Sequence, residues 1–388
     1  MFDSKSRSFS VKNLHLSNQQ FIGFSETDRI PSQLYMSPGF IDAHTHVYPG
    51  ATCLGISADR IGLNTGVHLV IDAGSAGSAL FNCFRDYVLP TFKTEAKAYL
   101  NISRVGLVTK QPYFDRRNID LEAAIKCIRD NDRNLLLGIK VMSSGIIVED
   151  AGITPLEKAV EAAEILGCRM MVHLCEGPPA NEDTMALLRR GDIITHCFHG
   201  KPNIPAALVA SPEAQVNPAF YSIPNVMWNQ DGSPTKPLDA ALSRGVLLDV
   251  GHGAASFDQF VAGAAIRAGV REFAISTDAH IRNIDGVVRG LSQTMSKFLA
   301  LGMTISEVTA SVTVIPAYQH DLKGWCDDLS KRATIFRIRP VGEKDLPLVD
   351  SNRLTIATKE LIEPVAVLVN GEIQNIISGW GDNLEIDI

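Results

Sequence analysis

Short apolar runs recur through the middle of the chain, at Gly39–His46, His68–Gly74, Ala98–Ser103, Leu135–Val141, Arg169–Cys175, Asp192–Phe198, Gly245–Gly251 and Phe273–Asp278. Runs this short, apolar on both faces, suit strands covered on both sides, as in a parallel sheet flanked by helices. The segments Asp120–Asn131, Pro155–Leu166, Asn181–Arg190 and Phe257–Ala268 repeat apolar residues every three to four positions, the spacing of one helix face. Eight such units predict a (β/α)8 TIM barrel.

Both ends read differently. Phe9-Ser-Val-Lys-Asn-Leu14 near the start alternates apolar and polar residues, and so do Ala333-Thr-Ile-Phe-Arg-Ile338 and Val365-Ala-Val-Leu-Val-Asn-Gly371, beyond a last helical stretch near Ile305–Ala310. Alternation marks half-buried antiparallel strands. We therefore expect a small β-sandwich domain from residues 1–38 plus 322–388, flanking a barrel over 39–321.

Composition narrows the classes of function. The 388 residues are 45% apolar, enough for a large core, and the net charge of −7 is spread without long single-sign runs. Nucleic acid and anionic membranes are therefore not expected as partners. No stretch of 18 apolar residues occurs, and the start MFDSKSRSFSVKNL lacks an apolar signal core, so a cytoplasmic protein is expected. Seven cysteines without a C-x-x-C read as buried or free thiols. The expected partner is a small-molecule substrate, and a homo-oligomer is only the common default.

Barrel enzymes assemble their sites at the C-terminal ends of the strands. The first run ends in His44 and His46, whose spacing of two points both imidazoles to one side of a strand. Lys140 stands near the end of the fourth run, His173 of the fifth and His196 of the sixth, and Asp278 closes the eighth. Four imidazoles and a carboxylate suit a borderline divalent metal such as zinc better than magnesium. Any one of these histidines alone could be structural; their repetition at strand ends argues for ligands. Lys140 stays open, because spacing alone favours a snorkelling side chain, whereas a buried lysine of lowered pKa can react with carbon dioxide to form a carbamate.

The segments Ser37-Pro-Gly-Phe-Ile-Asp-Ala-His-Thr-His46, Gly138-Ile-Lys140, Met171-Val-His173, Thr195-His-Cys-Phe-His-Gly200 and Ser276-Thr-Asp278 together resemble the amidohydrolase superfamily, most closely its dihydroorotase-like branch of amidohydrolases and deacetylases. Val70-Ile-Asp-Ala-Gly-Ser-Ala-Gly77, Asp249-Val-Gly-His-Gly-Ala-Ala-Ser-Phe257 and Thr294-Met-Ser-Lys297 fit the same branch. The resemblance implies one metal on His44, His46 and Asp278, a second on His173 and His196, and a carbamate on Lys140 bridging the two. It departs at Val312-Thr-Val-Ile-Pro-Ala317, where Asn-Pro-Ala is usual, and at Ser330-Lys-Arg-Ala-Thr-Ile-Phe336, which lacks the usual Ala-Asp.

A binuclear zinc centre of this kind implies hydrolysis of an amide or ester by a hydroxide shared between the metals, with Asp278 relaying its proton. Deacetylation of an N-acyl amino acid or O-acetyl hydroxy acid is the leading expectation. A cyclic amidase of dihydroorotase or hydantoinase type and a lactonase are alternatives, and a catalytically silent assembly module is the non-enzymatic one. Glu176, Lys201 and His252 lie just beyond strand ends and are candidate substrate contacts, and Arg104 or Arg282 could also hold a carboxylate. Gly74-Ser-Ala-Gly77 could bring backbone amides near a ligand but reads first as a tight strand-to-helix turn, Cys175 and Cys197 read as packing residues, and His68 as structural at the far end of its strand.

Overall fold

The computed structural model describes residues 1–10, 13–17, 20–25, 34–201 and 227–376, with residues 13–17 and 20–25 described at the level of the backbone. Val11 and Lys12, within the alternating Phe9–Leu14 stretch, and residues 377–388 lie outside the described residues. The strands are β1 (Phe2–Asp3), β2 (Ser8–Phe9), β3 (Asn13–Ser17), β4 (Gln20–Ser25), β5 (Leu34–Pro38), β6 (Phe40–Thr45), β7 (Val67–Gly77), β8 (Glu95–Asn101), β9 (Leu136–Ser143), β10 (Arg169–Leu174), β11 (Ile193–Thr195), β12 (Leu247–Asp249), β13 (Phe273–Ala274), β14 (Arg332–Pro340), β15 (Glu360–Val369) and β16 (Glu372–Asn375).

Strands β6 to β13 pair in sequence order as one parallel eight-stranded sheet, and a parallel bridge between Thr45 and Ala279 brings its two edges together. Helices alternate with the strands, giving the (β/α)8 barrel. Local chemistry starts and stops them. Asp120 accepts a bond from Ala123 N ahead of Leu121–Arg129, and Asp258 accepts from Phe260 N and Val261 N ahead of Gln259–Arg267. Thr304 and Glu307 form a reciprocal cap on Ile305–Ser311. Thr154–Leu166 opens with Pro155 and stops at Gly167, whose φ of 57° only a residue without a Cβ adopts cheaply.

Two apolar layers hold the barrel. The larger lies between sheet and helices and includes Val70, Ile139, Val172, Leu248 and Phe298. The second joins inward side chains such as Ile41, Leu69, Ile71, Tyr99 and Met171 to Phe2 of β1 and to Trp325, all buried. The six-stranded antiparallel sheet runs β3-β4-β16-β15-β14-β5, so both ends of the chain build the smaller β unit. Its edge strand β5 leads through Gly39 directly into β6, which fixes the small unit against the barrel. No helix among the described residues is long and apolar enough to cross a membrane.

Candidate metal centre

The side chains of His44, His46, Lys140, His173, His196 and Asp278 converge at the C-terminal end of the barrel. His46 Nε2 lies 3.1 Å and His44 Nε2 3.5 Å from Asp278 Oδ1. Lys140 Nζ is 3.3 Å from His44 Nε2. The ring centroid of His196 is 4.3 Å from that of His173 and 5.1 Å from that of His44. One ligand atom each from His44, His196 and Asp278 falls within 4.8 Å of the other two, a spacing at which one cation can be held.

The backbone leaves the ladder where these side chains must turn inward. The sixth apolar run predicts a strand over Asp192–Phe198, but pairing stops at Thr195 because His196 has φ 68°. The eighth, Phe273–Asp278, pairs only over Phe273–Ala274, and Asp278 has φ 49°. Left-handed geometry at a residue bearing a Cβ costs about 1–3 kcal/mol, and it persists here because neighbours hold it: Asp278 N donates to His44 O at 2.7 Å, and Asn283 Nδ2 to Asp278 O at 2.7 Å.

The expected turn at Gly74-Ser-Ala-Gly77 is a correction: β7 continues to Gly77 through a bulge against β8. Gly74 is required there, since a Cβ would come within 2.5 Å of the Lys140 Cβ. Asp72 accepts from Ser75 N at 2.7 Å and from Val47 N at 2.8 Å, which sets the bulge against the end of β6.

Three of the four histidines are tied back through Nδ1. His196 Nδ1 donates to Gly251 O at 2.6 Å, so its Nε2 carries a lone pair. Thr195 Oγ1 donates to Asp249 Oδ2 at 2.6 Å, and its proton is therefore committed; it must accept from His44 Nδ1 at 2.7 Å. His44 Nε2 is thus also a lone pair directed at Asp278 and Lys140. His46 Nδ1 pairs with Ser75 Oγ at 3.0 Å. Imidazoles oriented by oxygen partners on Nδ1, with Nε2 turned to a common point, are what metal ligation requires, so the donor set fits a divalent metal. Burial, reinforced by neighbouring charge, holds the pKa of His44, His173 and His196 well below the ordinary value, which keeps them in the neutral ligating form. Burial also pulls Lys140 down to about 8 against the opposing charges of Asp278, Asp249 and Asp72.

Sequence reasoning missed the residues behind the ligands. Asp249 accepts from Thr195 and from Ser276 Oγ at 2.5 Å, and Asp42 accepts from Thr277 N at 3.0 Å and Thr277 Oγ1 at 2.5 Å. The available signal was a carboxylate inside each of three apolar runs, at Asp42, Asp72 and Asp249, where burial demands partners.

No family model matches the chain. A deacetylase of Agrobacterium fabrum is 33% identical over 354 residues, spanning 90% of this chain and 81% of the relative. The crystal structure of an adenine deaminase superposes with a TM-score of 0.79 at 29% identity, covering 94% of this chain and 95% of the other. That of a dihydroorotase gives 0.76 at 30% identity, covering 92% and 90%. The chain belongs to the amidohydrolase superfamily. This amidohydrolase is therefore a hydrolytic enzyme of a metal-dependent superfamily.

Other expected site residues take varied places in the amidohydrolase. Glu176 and Lys201 pair with each other at 3.0 Å, and Glu176 is almost fully buried. Burial alone would raise the Glu176 pKa, but the Lys201 ammonium draws it down to about 2. His252 is buried, with Nδ1 donating to Gly253 O at 2.9 Å and Nε2 accepting from Lys297 Nζ at 2.8 Å, so both ring nitrogens are used within the protein. Arg104 and Arg282 are exposed. Cys175 and Cys197 are buried, and His68 donates through Nε2 to Ala333 O at 2.9 Å, joining the barrel to β14.

Proposed function

We propose that this amidohydrolase binds two divalent metal ions, zinc by the chemistry of its donors, and removes an acyl group from a small molecule. The observation that supports this most directly is the convergence of six donor residues, with His44 and His196 locked in the tautomer that presents Nε2. His44, His46 and Asp278 would hold one ion and His173 and His196 the other, with Lys140 as a carbamate between them. Bound there, the ions would supply a Lewis acid and would acidify a water to a pKa of about 7. Lys140 is suited to carbamate formation because burial lowers its pKa and raises the fraction of free amine that attacks carbon dioxide.

Asp278 would hold and relay the proton. Burial opposes its ionisation, yet the hydrogen bond from His46 outweighs that and keeps it an acceptor. The deacetylase name of the relative supports removal of an acetyl group, and we take the acceptor to be an N-acyl amino acid or an O-acetyl hydroxy acid. A second reading, hydrolysis of a cyclic amide, is supported by the dihydroorotase at 30% identity.

Metal analysis tests the centre. About two ions per chain are expected, and fewer than about one, with no activity regained on adding Zn2+ and bicarbonate, would reject it. Asp278→Asn is expected to keep one or more ions and lose turnover, and full activity in that variant rules out the proton relay. A panel of N-acyl amino acids, acetylated hydroxy acids, hydantoins and lactones decides the substrate class.

A further inference from the structure

The loop Gly251–Gly253, which follows β12, is the seat on which the metal-binding end rests. Gly251 O accepts from His196 Nδ1. A Cβ on Gly251 would fall 2.3 Å from Thr195 Oγ1, 2.8 Å from His196 Nδ1 and 3.0 Å from His44 Nδ1, and one on Gly253 would fall 2.6 Å from Asp278 Oδ2. Both glycines have positive φ, 45° and 58°. The loop thus hydrogen-bonds one donor residue, His196, and packs against His44 and Asp278 with no room for a Cβ, so a shift of this loop displaces them.

Two groups outside the centre hold this seat from behind. Lys297, on the helix Leu291–Ala300, is fully buried. Its Nζ donates to His252 Nε2 at 2.8 Å and to Val287 O at 2.6 Å. Burial pushes its pKa down to about 7, but the free amine has two N–H groups and the ammonium three, so both bonds survive titration. The His252 ring stacks on Phe257 with centroids 4.6 Å apart. A lysine is a costly way to fill an apolar space unless its donors are needed.

The second group is Ser351, carried by the connection between β14 and β15 of the smaller β unit. Its Oγ accepts from Phe257 N at 3.0 Å and Ser256 N at 3.2 Å, and donates to His252 O or Gly253 O, each at 3.2 Å. Ser351 N donates to Phe257 O at 2.9 Å. The loop is therefore held on its side-chain face by the barrel's own helix and on its main-chain face by the other unit.

We propose that Lys297 and Ser351 are positioning residues for the metal centre, a two-sided clasp that fixes Gly251–Gly253 and through it His196 and Asp278. The inference rests on the metal reading above. It makes the smaller β unit a working part of the site, since Ser351 belongs to that unit.

The test compares the full-length protein with Lys297→Met, Ser351→Ala and a control, Tyr99→Phe. The control removes the bond from Tyr99 to His320 at 2.9 Å, away from the loop. Zn2+ affinity is measured by competition with a chromophoric chelator, alongside kcat, KM and thermal unfolding. Loss of an oriented partner behind a ligand is expected to weaken Zn2+ binding by about 10- to 100-fold. That loss should occur in Lys297→Met and Ser351→Ala with kcat falling more than KM changes, while Tyr99→Phe loses stability and keeps its Zn2+ affinity. Should Lys297→Met fail to fold, Ser351→Ala decides. Wild-type affinity within about twofold in Ser351→Ala overturns the clasp, as does an equal loss in Tyr99→Phe. A wild-type protein that takes up no Zn2+ overturns the metal reading itself and the clasp with it.

Discussion

Thr195 offers a direct check of how the first ligand is oriented. Its hydroxyl accepts from His44 Nδ1 at 2.7 Å and donates to Asp249 Oδ2 at 2.6 Å, both in fully buried surroundings. Thr195→Val keeps the shape and removes both bonds. It leaves a buried N–H unsatisfied, which costs about 1–3 kcal/mol, and takes a donor from a carboxylate, worth about 1.5–3 kcal/mol. The metal-free protein should therefore lose about 3–5 kcal/mol in urea unfolding, and Zn2+ affinity should fall by roughly 10- to 100-fold as His44 becomes free to choose its tautomer. Burial already raises Asp249 to about 6, and the Thr195 hydrogen bond opposes that rise. Its loss moves the Asp249 pKa further up, so metal binding by the variant should weaken at a higher pH than in the wild type. Thr195→Ser restores the hydroxyl and should restore both quantities. A Thr195→Val protein within about 1 kcal/mol of wild type and within twofold in Zn2+ affinity would refute the tautomer argument.

Glu176→Gln should remove an acid-sensitive part of the stability. A carboxylate at about 2 in the fold and 4.5 in the unfolded chain contributes about 3 kcal/mol, present above pH 4.5 and lost as pH falls through 2. Urea midpoints for wild type and variant should thus converge between pH 5 and 2, and a pH-independent gap would contradict the pairing with Lys201. Phe2→Ala should cost about 3–5 kcal/mol, because a buried aromatic is removed from the cluster of inward barrel side chains. An unchanged Tm would show that β1 contributes nothing to the barrel.

Much of the scaffold is legible in the order of residues. Each of the eight apolar runs overlaps a barrel strand, and the Leu121–Arg129, Thr154–Leu166 and Gln259–Arg267 helices fall within two residues of their expected ends. Periodicity carries this information because buried strands and one-sided helices repeat along the chain. Strand length is another matter. The runs that carry His196 and Asp278 look like strands to their last residue, yet both residues have left-handed backbone beyond the ladder. Nothing in a local pattern distinguishes a residue that continues a strand from one that distant contacts force out of it.

The sequence by itself determined the fold class and the chemical inventory: parallel βα units, with histidines, a lysine and an aspartate each placed near a strand end. Those follow from one-dimensional spacing, which the chain carries in full. Tertiary structure alone decided what each nitrogen does. His252, a candidate substrate contact by position, spends both ring nitrogens on Gly253 and Lys297, whereas His44 is given its tautomer by Thr195 and Asp249, 151 and 205 positions away in the chain. Donor and acceptor roles depend on partners brought together from remote segments, and only closing the barrel brings them within hydrogen-bonding distance.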